Sequence, residues 1–235
     1  MNNKTILKLK RINKSFYDTI GSEFDSSRQY FWDGWDALLE SFPKIKNSNS
    51  ILDLGCGNGR FYQFWKEKVG EINYIGIDNN SVLLEKAQKN FSDATFRNSD
   101  VLDFPILNKK FDLIVAFGVM HHLPSYDLRV EFLQYCKKNL NTEGLVCISI
   151  WKFMDDDHEK NKIVPIEDIN LSNLDLEEND YFLSWKKGKT AYRYCHYVSE
   201  EEKNNLIKDS GLKLVGNFFA DGKSGKLNEY LVLGI

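Results

Sequence analysis

Ile51-Leu52-Asp53-Leu54-Gly55-Cys56-Gly57-Asn58-Gly59 is the stretch that decides the fold. An apolar run ends in three alternate glycines, and an amphipathic segment follows from Asn58 to Lys68. Glycines at such a junction let the backbone turn sharply and bring main-chain N–H groups close to a ligand at the carboxyl end of a strand. A dinucleotide fingerprint would need its third glycine where Arg60 stands, and the Lys-Ser/Thr pair of a P-loop is absent. Without a pyrophosphate to hold, an acid at Asp53 is tolerable and favours a cationic or amine-bearing ligand.

Outward from this motif, short apolar runs alternate with amphipathic ones. Strands are expected at Ser50–Leu54, Tyr74–Asp78, Thr95–Asn98, Phe111–Phe117 and Leu145–Trp151, and helices at Asn58–Lys68, Ser81–Asn90 and Tyr126–Asn139. Ser81 reads as an N-cap and Asn141 to Gly144 as a helix-to-strand turn. This alternation predicts an α/β fold, a parallel sheet covered on both faces. Residues 1–47 read as a helical cap that buries Phe16, Ile20, Phe24, Trp35, Leu38, Leu39 and Phe42, ahead of a core over 48–151. Residues 152–197 break the rhythm and read as an irregular insertion that binds substrate. Residues 198–235 resume with a helix at Ser199–Asp209, a stop at Gly211 and strands Lys213–Phe219 and Glu229–Leu233 as a terminal hairpin. The whole is expected to be a single domain.

Acids stand where strands end. Asp78 closes Tyr74-Ile75-Gly76-Ile77-Asp78, a position from which a carboxylate can accept two hydrogen bonds from ribose hydroxyls. Asn98-Ser99-Asp100-Val101 offers an acid and an apolar neighbour that could hold an adenine amine and ring. Phe111–Phe117 then leads into Gly118-Val119-Met120-His121-His122-Leu123-Pro124, again at the ligand-binding edge of an open sheet.

The series DLGCGNGR, IGID, NSD and FDLIVAFGVMHHL resembles the class I S-adenosylmethionine-dependent methyltransferases over roughly Ser50 to Trp151. The resemblance implies a Rossmann-like seven-stranded sheet, mostly parallel with an antiparallel last strand, and S-adenosylmethionine as cofactor. It implies that Asp53, Gly55, Cys56 and Gly57 face the methionine part, Asp78 and Asn79 the ribose, and Asp100 and Val101 the adenine. Phe117 would lie near the methyl-bearing sulfur, and Arg28 and Tyr30 would close over the cofactor's carboxylate.

Beyond the core, His121-His122-Leu123, the Asp180 to Trp185 segment and Arg193-Tyr194-Cys195-His196 resemble the eukaryotic-type tRNA wobble-uridine methyltransferases, which esterify a carboxymethyl group on uridine. Leu183-Ser184-Trp185 stands where that family has VPW, RYCH where it has RYYH, and Asn228-Glu229-Tyr230 at its Asn-aromatic pair. The resemblance implies tRNA as substrate and a small zinc-containing activating subunit as possible partner. Arg193 is expected to hold the acceptor carboxylate, with His196 and Tyr194 as supporting donors and His122 as a second polar wall. A methyltransferase acting on a small metabolite is the alternative reading, and a non-catalytic RNA- or partner-binding protein a third.

With 31 basic and 34 acidic residues the chain is no general polycation, although Lys4–Lys14 and Lys186–Arg193 are locally cationic, the latter interleaved with Tyr192, Tyr194 and Tyr197. No apolar run approaches the roughly 18 residues of a membrane span. Cys56, Cys136, Cys147 and Cys195 are scattered and read as reduced thiols of a cytoplasmic protein. Asp155-Asp156-Asp157-His158 reads as solvated acids on a loop, and no metal site is expected.

Overall fold

Ser50–Leu54 forms the central strand, β1, and the alternation of its side chains sets up two faces: Leu52 and Leu54 point one way, Ile51 and Asp53 the other. The computed structural model describes residues 1–26, 30–169, 174–186 and 190–235. Around β1 stand β2 (Asn73–Asp78), β3 (Thr95–Asn98), β4 (Phe111–Ala116), β5 (Leu140–Trp151), β9 (Lys213–Ala220) and β10 (Asn228–Gly234). They make a seven-stranded sheet in the order β3-β2-β1-β4-β5-β10-β9. The strands from β3 to β5 pair in parallel, and β10 pairs antiparallel with both β5 and β9, the latter as the expected hairpin.

Helices α1 (Asn3–Ser26) and α2 (Asp33–Ser41) precede the sheet; α3 (Arg60–Lys68), α4 (Ser81–Asn90), α5 (Tyr126–Lys138) and α7 (Glu200–Ser210) cover it. On one face Leu52, Ile77, Ile114 and Ile148 pack against Phe132 and Leu133 of α5 and Leu206 of α7. On the other, Ile51, Leu113, Val115 and Val232 pack against Trp35 and Leu38 of α2 and Phe61 and Trp65 of α3. Of the expected cap residues, Phe16, Ile20, Trp35, Leu38 and Leu39 are buried and Phe42 is half-buried. The side chain of Phe24 lies outside the described residues.

Several boundaries differ from the sequence reading. Helix α3 starts at Arg60 because Gly59 sits in the left-handed region (φ 80°). Asn80, not Ser81, caps α4: its side chain accepts from the Leu83 N–H at 3.0 Å. Asn141 to Gly144 is no turn, since β5 already pairs with Phe111 at Leu140 and shifts register before Leu145 meets Leu113. The insertion is not irregular: α6 (Asp157–Lys160) leads into an antiparallel three-stranded sheet of β6 (Ile163–Val164), β7 (Asp180–Trp185) and β8 (Ala191–His196). Sparse β6, with two residues, gives no period-2 pattern to read.

Gly34 lies on α2 where a Cβ would fall 2.2 Å from the buried Tyr230 ring. Gly34→Ala should destabilise by about 1–3 kcal/mol through overpacking. A thermal melt is expected to move down by roughly 3–10 °C.

Candidate active site

Strand order reverses between β1 and β4, and the crevice outside the carboxyl ends of such strands is where open α/β sheets take ligands. A cavity of about 570 Å³ opens there. Its floor is the glycine turn, with Gly55 at φ 81° and Gly57 at φ 54°. A Cβ on Gly55 would come 2.5 Å from Val119 Cγ2, so the turn needs glycine for closeness as well as for backbone sign. The turn's amides are not offered to a ligand as the sequence suggested. Gly55 and Cys56 N–H donate to the Ile77 carbonyl (2.8 and 3.1 Å), and Gly57 N–H donates to Asp78 Oδ2 (2.9 Å).

Asp53, Cys56, Asp78, Asn79, Asp100, Val101 and Phe117 all line this cavity with the glycine turn. Asp53 is buried and accepts a hydrogen bond from Tyr74. Burial raises its pKa to about 7, more than the Tyr74 bond lowers it, and the charge of Asp78 adds to the rise. Asp78 accepts from the backbone of Gly57 and Asn80 (2.8 Å to the latter), while burial holds its pKa up. Asp100 accepts from Leu102 N–H at 2.9 Å and faces Lys10 at 3.1 Å. The Asn79 carbonyl accepts from Lys14 at 3.4 Å. Phe117 packs among Trp35, Phe61 and Tyr230. Arg28 lies outside the described residues. The described guanidinium at that end is Arg60, which donates to the Tyr30 carbonyl (2.9 Å) over the Trp35 ring.

At the other end, Arg193 lies on the cavity wall with its guanidinium 4.6 Å from the Trp151 ring centroid and 5.3 Å from that of Phe16. Tyr17 hydrogen-bonds Arg193 and sits 2.7 Å from His122 Nε2. His122 Nδ1 faces the Tyr194 carbonyl at 3.0 Å, which assigns a proton to Nδ1 and leaves Nε2 to accept from the tyrosine hydroxyl. His121 and His122 both reach the cavity, His121 with its ring tilted against Trp151 at 5.0 Å between centroids.

Tyr194 and His196 are not in the cavity. Side chains alternate along β8, so Arg193 and Tyr194 face opposite ways. The Tyr194 hydroxyl donates to Asp180 Oδ1 (2.7 Å). His196 is clamped with Nδ1 2.7 Å from Asp180 Oδ1 and Nε2 2.7 Å from Glu202 Oε2. Two carboxylates on one ring require both nitrogens to carry protons, so His196 is an imidazolium. Burial alone would lower its pKa, but the bonds to Asp180 and Glu202 outweigh that and raise it. Arg129, also buried, extends the network to Glu202 (2.7 Å) and Glu177 (2.8 Å).

The expected loop acids are spent locally: Asp156 caps α6, and Asp155 accepts from the Tyr197 hydroxyl. Among the described residues the group nearest to a metal-ligand set is His121, His122 and Cys195, with donor atoms within 4.8 Å. Burial pushes the Cys195 thiol up to about 12, so it stays protonated.

A family profile described as a methyltransferase domain matches residues 51–144. A putative methyltransferase of Encephalitozoon cuniculi is 26% identical over 206 residues, covering 88% of this chain and 89% of its own. The mouse tRNA (carboxymethyluridine(34)-5-O)-methyltransferase is 25% identical over 162 residues, 69% of this chain; the match spans 23% of the mouse protein. A crystal structure of an S-adenosylmethionine-dependent methyltransferase from Clostridium acetobutylicum superposes with a TM-score of 0.68 at 14% identity, covering 93% of this chain and 98% of that one. The chain carries a methyltransferase domain on the fold of the class I enzymes and is an S-adenosylmethionine-dependent methyltransferase.

The cavity suits that cofactor. Buried Asp53 and half-buried Asp78 give it an acidic floor for a sulfonium and an ammonium, and the Gly55, Cys56 and Gly57 amides, already bonded within the protein, are not offered to phosphates. What sequence reasoning missed in this methyltransferase is the share of α1: Lys10, Asn13, Lys14 and Tyr17 all line the cavity. One signal was present. On a face that repeats Leu9, Asn13, Phe16 and Ile20, a polar residue among apolar ones needs a partner, and Asn13 Oδ1 accepts from the Tyr194 N–H (2.8 Å). Arg60, Trp32 and Trp35 carried no signal beyond an apolar helix.

Because folding raises the pKa of His196, its contribution to stability is complete below the unfolded value of about 6.5 and is lost as pH rises through the native one. Melts taken as pH is raised from 6.5 should show this loss in the native protein and not in His196→Gln. Removal of the imidazolium strands two carboxylates and should cost roughly 3–5 kcal/mol near neutrality.

Proposed function

We propose that this methyltransferase esterifies a carboxylate carried by a modified wobble uridine of tRNA. The observation that carries the reading is Arg193, a guanidinium on the cavity wall held by two aromatic faces and Tyr17. Such a group recognises a planar anion through paired N–H donors. The reaction named for the mouse relative, on carboxymethyluridine 34 of tRNA, supports the same acceptor.

Bound in the cavity, S-adenosylmethionine would supply an electrophilic methyl, whose transfer to the acceptor oxygen would break the carbon–sulfur bond and leave its electron pair on sulfur. A carboxylate is anionic at neutral pH, so the protein needs no general base. Its task is alignment, the source of large effective molarities. Arg193 would hold one carboxylate oxygen and leave the other in line with the methyl. Tyr17 and His122 would keep the guanidinium in place, and Trp151 and Trp185, which also line the cavity, would wall the pyrimidine. At the cofactor end Asp53 would take the ammonium, Arg60 and Arg28 the carboxylate, Asp78 and Asn79 the ribose, and Asp100 and Val101 the adenine. The small sheet over residues 152–197 would then be the substrate-binding part of a single domain.

The test is methyl transfer from labelled S-adenosylmethionine to tRNA lacking this modification, read by mass spectrometry of the nucleosides. A methyl ester on a carboxymethyl-type uridine is expected. Label on another nucleoside would discard the carboxylate acceptor, and a free metabolite methylated in place of RNA would replace the substrate. Arg193→Gln should lower turnover by a factor on the order of 100 to 10,000 and leave cofactor affinity within about twofold. Unchanged turnover would remove Arg193 from the site.

The raised pKa of Asp53 gives a second check. Cofactor affinity should weaken as pH is lowered from about 8 through about 7, approaching tenfold per unit, because protonation removes the charge that meets the ammonium. In Asp53→Asn, calorimetric titration should find weaker binding with that dependence gone.

A further inference from the structure

We propose that the outer face of α1 is the surface along which the RNA backbone runs when its acceptor base enters the cavity; the inference rests on the RNA reading above. Burial fixes how the helix is turned. Thr5, Leu9, Asn13, Phe16 and Ile20 face inward, which leaves Lys4, Lys8, Arg11 and Lys14 along the outer side.

The charge of this face works against the helix that bears it. Residues 1–17 hold five cations and no acid, in a chain where acids outnumber bases 34 to 31. The first turn of α1 has no acidic residue of its own, and the positive end of its dipole is met from elsewhere by Asp175, which accepts from the Asn2 N–H at 2.7 Å. Lys4 and Lys8 are four residues apart, as are Lys10 and Lys14, the spacing at which like charges weaken a helix. Among the described residues no carboxylate pairs with Lys4, Lys8 or Arg11, whereas Lys10 is paired with Asp100 and Lys14 with Asp18. A bound polyanion would relieve all of these repulsions at once.

Position and length identify the polyanion. Lys10 and Lys14 line the cavity mouth, so the stripe ends where a base would enter between Tyr17, Trp151 and Trp185. Lys4 to Lys14 covers about 15 Å of helix, roughly four steps of a nucleic-acid strand. An acidic protein would match the charge and leave the cavity at the end of the stripe unexplained.

The test is binding of a fluorescein-labelled anticodon stem–loop to the native protein and to the Lys4→Glu/Lys8→Glu/Arg11→Glu variant, between about 50 and about 200 mM salt. The three substituted side chains lie outside the cavity. The variant is expected to bind at least about tenfold more weakly, with a slope of log affinity against log salt shallower by about 2–3. Its melting curve and calorimetric affinity for S-adenosylmethionine should match the native protein's. Equal affinity and slope in both proteins would overturn the α1 surface and leave the RNA reading standing. A native protein that binds no stem–loop even at the lowest salt would remove the RNA reading and this surface together. Tighter binding of poly-glutamate than of the stem–loop would assign the face to an acidic protein instead.

Discussion

An imidazolium between two carboxylates fastens the part of this enzyme that the cofactor core does not supply. His196 joins Asp180 of β7 to Glu202 of α7, and Arg129 of α5 reaches Glu202, Glu177 and the Leu123 carbonyl. Three separated stretches of chain therefore meet in one buried network. Two cations face three carboxylates in it, and the Tyr194 hydroxyl and the backbone N–H groups of Tyr126 and Glu177 supply further donors to Asp180 and Glu177, the condition under which buried charge is tolerated. The small sheet that it anchors carries Arg193 on the strand that ends in His196. One strand thus serves two purposes by side-chain alternation: Tyr194 and His196 lock inward, and Arg193 turns to the cavity.

The cofactor end follows from a different constraint, the reversal of strand order between β1 and β4. Where neighbouring connections leave in opposite directions a crevice opens without any special sequence. What the sequence adds is the lining. The glycine turn removes side chains that would fill the crevice, and Asp53 and Asp78 make it acidic. Burial keeps both carboxyl groups eager for a proton or a cation, and the charge of Asp78 adds to the rise at Asp53 as that of Asp100 does at Asp78.

Helix α1 joins the two ends. Lys10 meets Asp100 at one end of the cavity, and Tyr17 meets His122 and Arg193 at the other, about two helical turns apart. The helix thus forms one wall common to both ends of the cavity.

The sequence by itself determined the sheet from β1 to β5, the hairpin at the end and the acids at the strand ends. These depend on local period and on glycine chemistry, which neighbouring residues carry. It did not determine which face of β8 looks into the cavity. In RYCH the arginine, tyrosine and histidine are equally plausible donors, and only the pairing of β8 with β7 and its packing under α1 send Tyr194 and His196 away. Nor did it reveal Tyr17, 176 positions before Arg193, because a contact between distant residues leaves no local period. Strand and turn are written over a few residues; a site assembled from α1, the glycine turn and β8 exists only once the chain has closed on itself.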